Sequence, residues 1–210
     1  FDNSTGGTSR LELFGNGNVD LSDHIGGVAV GSIEGDGLVF LGAKHLAVGS
    51  NNLSTTFSGV IQDGGDGGGT GGSITKVGTG TLLLTGANTY TGSTVVDSGM
   101  LGGTGSVAGD MSVGTGSGPD ASLAPGSGGP GTFTIEGAIT FNADATYEFE
   151  LNSNTAAADQ IVADGVTINS GALFDFADLG SGSLAPGTVF TVIDNTSASA
   201  IAGTFGNLAD

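Results

Sequence analysis

The chain has 210 residues, 43 of them Gly and none Cys or Trp, with 3 Lys or Arg against 21 Asp or Glu and a formal net charge of -18. That charge argues against binding to nucleic acid or insertion at an anionic membrane, since both need basic surface, and it leaves salt bridges unable to hold most of a fold together. Spaced Val, Ile, Leu and Phe exclude disorder, the missing Gly-X-Y period excludes collagen, and abundant Gly, Thr, Ser, Val and Asn disfavour helix throughout.

Short β signals run from end to end. They fall at residues 11–14, 19–21, 28–33, 38–41, 46–48, 55–62, 74–77, 81–85, 94–96, 106–107 and 111–113. Further ones follow at 132–135, 138–141, 146–151, 160–162, 166–168, 172–176 and 189–193. Several alternate with the period of two that marks half-buried strands. Tyr147, Phe149 and Leu151 share one face and leave Glu148 and Glu150 on the other, while Phe133 with Ile135, and Ile139 with Phe141, form similar pairs. Gly, Asn, Asp and Ser separate the strands, as turns require. Three stretches break the pattern: the Gly-rich loop 63–72, the Pro-containing stretch 114–131 read as a bulging loop or divergent coil, and NSNTAAAD after residue 151, the one place for a short helix.

Many short strands fit either an antiparallel sandwich or a parallel β-solenoid. The dense turns favour the solenoid, as does a composition of small side chains with 6% aromatics, because a narrow stacked interior needs no large anchors. No fixed period is visible, so coil length must vary. The chain therefore reads as one continuous all-β solenoid over 1–210, with N-terminal coils in 1–72, a repeat and following coils in 73–142, and C-terminal coils in 143–210. A start at Phe1 and an unmarked end at Asp210 read as the cut ends of a longer protein.

No catalytic constellation emerges. Ser22-Asp23-His24 names the residues of a triad, but consecutive residues cannot converge as nucleophile, base and orienter; His24 and His45 read as surface histidines. Cleavage of an acidic polysaccharide would have to draw its cation from Arg10, Lys44 or Lys76. In the loop DGGDGGGTGG, Asp63 and Asp66 are the candidate metal ligands, for low-affinity Ca²⁺; the other reading is a flexible loop without a metal, since the order of the Ca²⁺-binding nonapeptide repeat is absent. No other cofactor is implied. Absence of Cys in a long extracellular β protein points to a bacterial surface or secreted protein, and no apolar run is long enough to cross a membrane as a helix.

From Lys76 to Leu101 the pattern becomes specific. Gly78, Gly80, Thr81, Leu82, Leu84, Gly86, Asn88, Tyr90, Gly92, Thr94, Val96, Gly99 and Leu101 resemble the autotransporter-associated β-strand repeat, or passenger-associated transport repeat, of bacterial surface proteins. The resemblance implies a right-handed parallel β-helix, displayed outside the cell, whose repeat serves export and folding and carries no catalytic residue. It places Leu82 and Leu84 inside the coil with Leu101 in the neighbouring strand, and puts Gly78, Gly86, Gly92 and Gly99 at corners that a Cβ would obstruct. Asn88 is expected to turn inward, stack with polar residues of adjacent coils and bond the backbone of a turn. The resulting expectation is a non-enzymatic stalk, spacer or adhesin shaft. The alternatives are a subunit of an extracellular filament joined end to end through strand edges, and a polysaccharide-binding or polysaccharide-cleaving β-helix. Expected partners are a second copy, or a glycan or ligand on a cell surface.

Overall fold

The computed structural model describes residues 5–208; Phe1 and Asp210, the ends discussed above, lie outside them. The coils set their strands on three faces, most with one strand on each. The first coil holds β1 (Arg10–Leu13), β2 (Asn18–Asp20) and β3 (Val28–Val30), and the second β4 (Ser32–Gly35), β5 (Leu38–Phe40) and β6 (His45–Val48). The third holds β7 (Thr55–Phe57), β8 (Val60–Gln62) and β9 (Ser73–Lys76), whereas the fourth has only β10 (Thr81–Leu84) and β11 (Thr94–Val96). In the fifth lie β12 (Gly99–Gly103), β13 (Ser106–Val107) and β14 (Met111–Val113), and in the sixth β15 (Ala121–Pro125), β16 (Thr132–Ile135) and β17 (Ile139–Phe141). The seventh contains β18 (Ala145–Asn152), β19 (Ala157–Ala158), β20 (Gln160–Ala163) and β21 (Val166–Ile168); an incomplete eighth contains β22 (Leu173–Asp178) and β23 (Ile193–Asn195).

The first face stacks β1-β4-β7-β10-β12-β15-β18-β22, and the third stacks β3-β6-β9-β11-β14-β17-β21. The second face is interrupted: β2-β5-β8 on one side of the fourth coil and β13-β16-β20-β23 on the other. The strand pairs between coils are parallel; the β18–β19 hairpin is antiparallel, as is an isolated bridge between Gly103 and Gly126. The chain is an all-β parallel solenoid, with no helix among the described residues.

Alternation builds the interior. On the first face Leu82, Leu101, Leu123, Tyr147 and Phe174 form one inward ladder, each in register with the next. The first four are at most 1% exposed, so Leu82, Leu84 and Leu101 point where the repeat's pattern places them. Each such side chain contributes about 2 kcal/mol by leaving water. Aromatics gather at the C-terminal end, where Phe141, Tyr147, Phe149, Phe174 and Phe205 pack ring against ring.

Corners are tighter than composition suggests. The 28–33 signal is two strands bent at Gly31, and the 55–62 signal is two strands bent at Ser58 and Gly59. The stretch 114–131 is not simply a loop, because its centre is β15, with Ala121 and Leu123 fully buried. Strand β12 runs through three glycines that signal only a corner, β23 begins where the 189–193 signal ends, and residues 152–157 form the hairpin turn and no helix. Along the first face the step from coil to coil varies from 19 residues (Leu82 to Leu101) to 27 (Tyr147 to Phe174), which hides the repeat from any search for a fixed period.

One corner carries a column of glycines. A Cβ on Gly37, Gly59, Gly86 or Gly105 would collide with the carbonyl oxygen of Gly17, Gly37, Gly59 or Gly86 respectively, in the coil before. The corner glycines expected at 78, 92 and 99 are obstructed in the same way, by Gly49, Gly71 and Gly78. Coils stacked about 4.8 Å apart leave no room for a side chain there. Gly86→Ala is therefore expected to cost about 2 kcal/mol or more, whereas Gly26→Ala, whose Cβ meets nothing within 4 Å, changes stability by less than about 0.5 kcal/mol. Thermal melts of the two variants check this.

Candidate functional site

Measured along the first face the fourth coil is the shortest, and it lacks a strand on the second face. Asn88 stands in the gap. Its side chain is 2% exposed; Oδ1 accepts from the Ile61 N–H at 3.0 Å, and Nδ2 donates to the Gly86 and Ser106 carbonyls at 3.1 and 3.0 Å. Its own N–H donates to Ser106, and the Thr89 N–H donates to Ile61. One side-chain amide thus does the work of a peptide unit, joining the third coil to the fifth across a missing strand. Asn88 turns inward and bonds backbone as expected, the Gly86 carbonyl of its own corner included, but no stack of polar side chains accompanies it: its partners are main-chain groups of its own coil and the two adjacent ones. Beside it Tyr90 is fully buried, with its hydroxyl 2.5 Å from Thr94 Oγ1.

Lys76 holds the next corner. On the third face Val30, Val48, Lys76, Val96 and Val113 are consecutive members of one inward ladder, so a lysine occupies a valine position and is 1% exposed. Its ammonium donates to the carbonyls of Val77, Gly78 and Ser98 at 2.9, 2.9 and 3.1 Å, which uses all three N–H groups. Burial lowers its pKa to about 8, so it stays protonated at neutral pH. The unfolded chain binds this proton more tightly, and the cost of burying it is relieved as pH rises from about 8 towards 10.5. Among the three cations weighed for catalysis, Lys76 is the one that the fold encloses, and its place at the last position of a Val/Ile-type strand was the only sequence signal.

The acidic residues do more than face water. Asp63 accepts from the Gly71, Gly72 and Thr91 N–H groups and from the Thr91 hydroxyl at 2.6–3.2 Å. Asp20 accepts from the Ser22 hydroxyl and N–H and from the Asp66 N–H. These bonds fasten the loop 63–72 against the corner at 20–23 of the first coil. Of the two candidate metal ligands, Asp63 is engaged in the loop's own bonds and Asp66 contributes an N–H to Asp20; among the described residues no group of three or more His, Cys, Asp or Glu is placed to hold a metal. Asp144 organises the turn after β14 through the Thr115, Gly116 and Gly118 N–H groups at 2.7–3.1 Å. Burial acts to raise the Asp144 pKa, and those N–H groups outweigh it and hold it below the usual range. Asp20 is lowered by the Ser22 hydroxyl bond, Asp178 by the Ser153 and Gly180 N–H groups. Fully buried Asp159, between the Gly131 and Glu150 N–H groups, is the exception: desolvation raises it to about 6.

The remaining candidates are dispersed. Ser22 donates its hydroxyl to Asp20 and accepts from Gly67, while half-buried His24 holds Nδ1 3.0 Å from the Gly26 carbonyl. His45, exposed at the start of β6, lies 2.9 Å from Thr75 Oγ1 of the next coil. Arg10 pairs with Glu12 and Glu34 on the first face. Along the outside of that face runs a groove of about 530 Å³, bordered by Phe14, Glu34, Ser54, Thr56, Thr81 and Leu83. A smaller hollow of about 170 Å³ continues past Leu83 to Met100, Ala124, Glu148 and Glu150.

Residues 74–101 match the family model described as passenger-associated-transport-repeat. The chain carries a passenger-associated transport repeat. The matched segment starts in β9, takes in β10 and β11 and ends in β12, so it covers more than one turn of the solenoid, with β9 stacked on β11 and β10 on β12 and Asn88 near its centre. No curated protein and no solved structure matches the chain. The repeat within a continuous β-solenoid fits a structural module of the passenger type.

Two outcomes follow. Asn88→Ala leaves the buried Ile61 N–H without its partner and strips the side-chain bonds from the Gly86 and Ser106 carbonyls, which keep the main-chain N–H groups of Ser106 and of position 88; it is expected to cost about 2 kcal/mol, or roughly 6 °C in Tm. Asn88→Asp, nearly identical in shape, is expected to be as damaging because its carboxylate faces two carbonyl oxygens; a neutral Asn88→Asp would contradict the bridging role. The second concerns pH. Asp20, Asp144 and Asp178 have folded values below their unfolded ones, so their contribution is present above about pH 4 and lost as pH falls through the folded values. Asp159 acts oppositely, favouring the fold below about pH 4 and losing that contribution as pH rises towards 6. Asp144→Asn is expected to lower Tm at neutral pH and to narrow the Tm difference between neutral and strongly acid buffer, as read by circular dichroism.

Proposed function

We propose that this chain is a non-enzymatic structural module of a secreted bacterial surface protein, a stiff shaft that holds other parts of that protein away from the cell. The supporting observation is where the recognised repeat spends its polar side chains. Asn88, Lys76 and Tyr90 are all buried and bonded within the stack, and none is offered to a substrate. The passenger-associated transport repeat supports placement outside the cell. Mechanically, main-chain ladders on three faces resist bending without disulfides or ion-pair networks.

The outer groove of the first face supports a role as an adhesin shaft as a second reading. Its Ser and Thr hydroxyls, with Phe14 63% exposed at one border, suit a neutral glycan better than an acidic one, which the net charge of -18 repels.

The test is display. With an epitope at its N-terminal side and an exported anchor at its C-terminal side, the chain is expected to present the epitope on intact cells. Asn88→Asp, or replacement of 74–101 by a Gly/Ser segment of equal length, is expected to reduce surface epitope at unchanged synthesis. Undiminished display from both variants, or turnover of a polysaccharide by the purified chain, would overturn the proposal.

A further inference from the structure

The Gly-rich loop 63–72 does more than close a corner of the third coil. Its base is tied to the fourth coil, because Asp63 accepts from the Thr91 N–H and hydroxyl as well as from the Gly71 and Gly72 N–H groups. Its tip reaches the other way and rests on the first coil. There the Asp66 N–H donates to Asp20 Oδ2 at 2.7 Å, and the Gly67 N–H donates to Ser22 Oγ at 2.8 Å. Between the two the loop crosses the corner of the second coil, so closely that a Cβ on Gly42 would lie 2.5 Å from the Gly68 carbonyl oxygen. One loop therefore spans four coils along the axis.

The tip is a preformed piece. The Gly64 N–H donates to the Gly69 carbonyl and the Gly68 N–H to the Gly65 carbonyl, both at 3.0 Å, so residues 64–69 hold their shape through their own bonds. The seat is equally specific. A Cβ on Gly65 would lie 2.4 Å from Asp20 Oδ1, and one on Gly67 would lie 2.3 Å from Asp23 Oδ1, so a side chain at either position would lift the tip off. One carboxylate governs the docking. Asp20 takes the Asp66 N–H directly, and it also takes the Ser22 hydroxyl proton, which aims the hydroxyl oxygen at Gly67. A tip with internal bonds, seated through Asp20 and anchored through Asp63, is built to open locally.

We propose that residues 64–69 form a hinged clasp, docked on the first coil through Asp20 and Ser22, that swings free about Asp63 and Gly71 when Asp20 loses its charge, with the stack intact. Release uncovers the corner of the second coil at 41–44. The other ionisable groups on the elements around the tip are Asp23 and His24 of the first coil, Lys44 and His45 of the second, and Asp63 and Asp66 of the loop. The sign follows from Asp20. The Ser22 hydroxyl, with the Asp66 and Ser22 N–H groups, holds its carboxyl below the usual range. Docking is therefore complete above about pH 4 and is lost as pH falls through the docked value.

Amide hydrogen exchange on the 210-residue chain, read residue by residue by NMR, tests it. In the wild type at neutral pH the Asp66 and Gly67 N–H groups are expected to be protected. Asp20→Ala is expected to lower their protection about tenfold or more, because the acceptor of one bond and the support of the other are removed. The Gly71, Gly72 and Thr91 N–H groups are expected to keep their protection. If that variant loses its native circular dichroism, Gly67→Ala, whose methyl meets Asp23, takes its place with the same expected outcome. In the wild type below about pH 4, the Asp66 amide shift is expected to move together with the Asp20 carboxyl carbon. Wild-type tip amides without protection, a folded variant whose tip stays protected, or one that loosens tip and base together would each overturn the proposal. So would an Asp66 amide shift that ignores the protonation of Asp20.

Discussion

The spacing between coils governs this molecule. Parallel strands paired at about 4.8 Å require every turn to pass its corner almost in contact with the turn before. The column Gly17, Gly37, Gly59, Gly86 and Gly105 is the consequence, since only hydrogen fits where each carbonyl of the preceding turn lies. The same spacing fixes what the second face needs at the fourth coil. There the chain takes its shortest route along the first face and forms no strand on the second, so the Ile61 N–H has no strand to pair with. Asn88 supplies an amide with donor and acceptor at the right separation, and Asn207 repeats the device on the open edge of β22.

A chain with so few cations satisfies its corners with carboxylates and main-chain amides. Asp63, Asp110, Asp144 and Asp159 each accept an N–H from a residue 26–29 positions away, close to the length of a turn. Much of the acidic composition therefore acts as fasteners between coils, and the loop 63–72 is held in place although nearly all its residues are Gly or Asp. The one enclosed cation is treated in reverse: Lys76 takes a place among valines and finds three carbonyls at a corner. These arrangements tie coil to coil without disulfides, in keeping with a passenger-type structural module.

The solenoid was legible in the sequence because period-two strands and turn residues are local signals, and the repeat at Lys76 to Leu101 was legible because thirteen of its positions stand together. Inward Leu82, Leu84 and Leu101 followed directly. What escaped depends on distance along the chain. The glycine column is spread over turns of unequal length, so no window shows it. Strand β15 hides between Gly- and Pro-rich corners. Lys76 stands in the sequence as one of three cations open to catalysis, and only its register with Val48 and Val96 shows it to be buried. Asp63 and Asp66 invited a metal because a carboxylate's partners, here the N–H groups of Gly71, Gly72 and Thr91, cannot be seen in a linear pattern.

The central claim is a single continuous stack, and a distance along its axis tests it most directly. The chain has no native Cys, so spin labels on Asn16→Cys in the first coil and Ser181→Cys in the eighth report only that pair. Seven steps of about 4.8 Å predict one narrow distribution by double electron–electron resonance, centred at or above about 34 Å and unchanged by EDTA. A broad distribution, or a peak well short of that span, would contradict the stack.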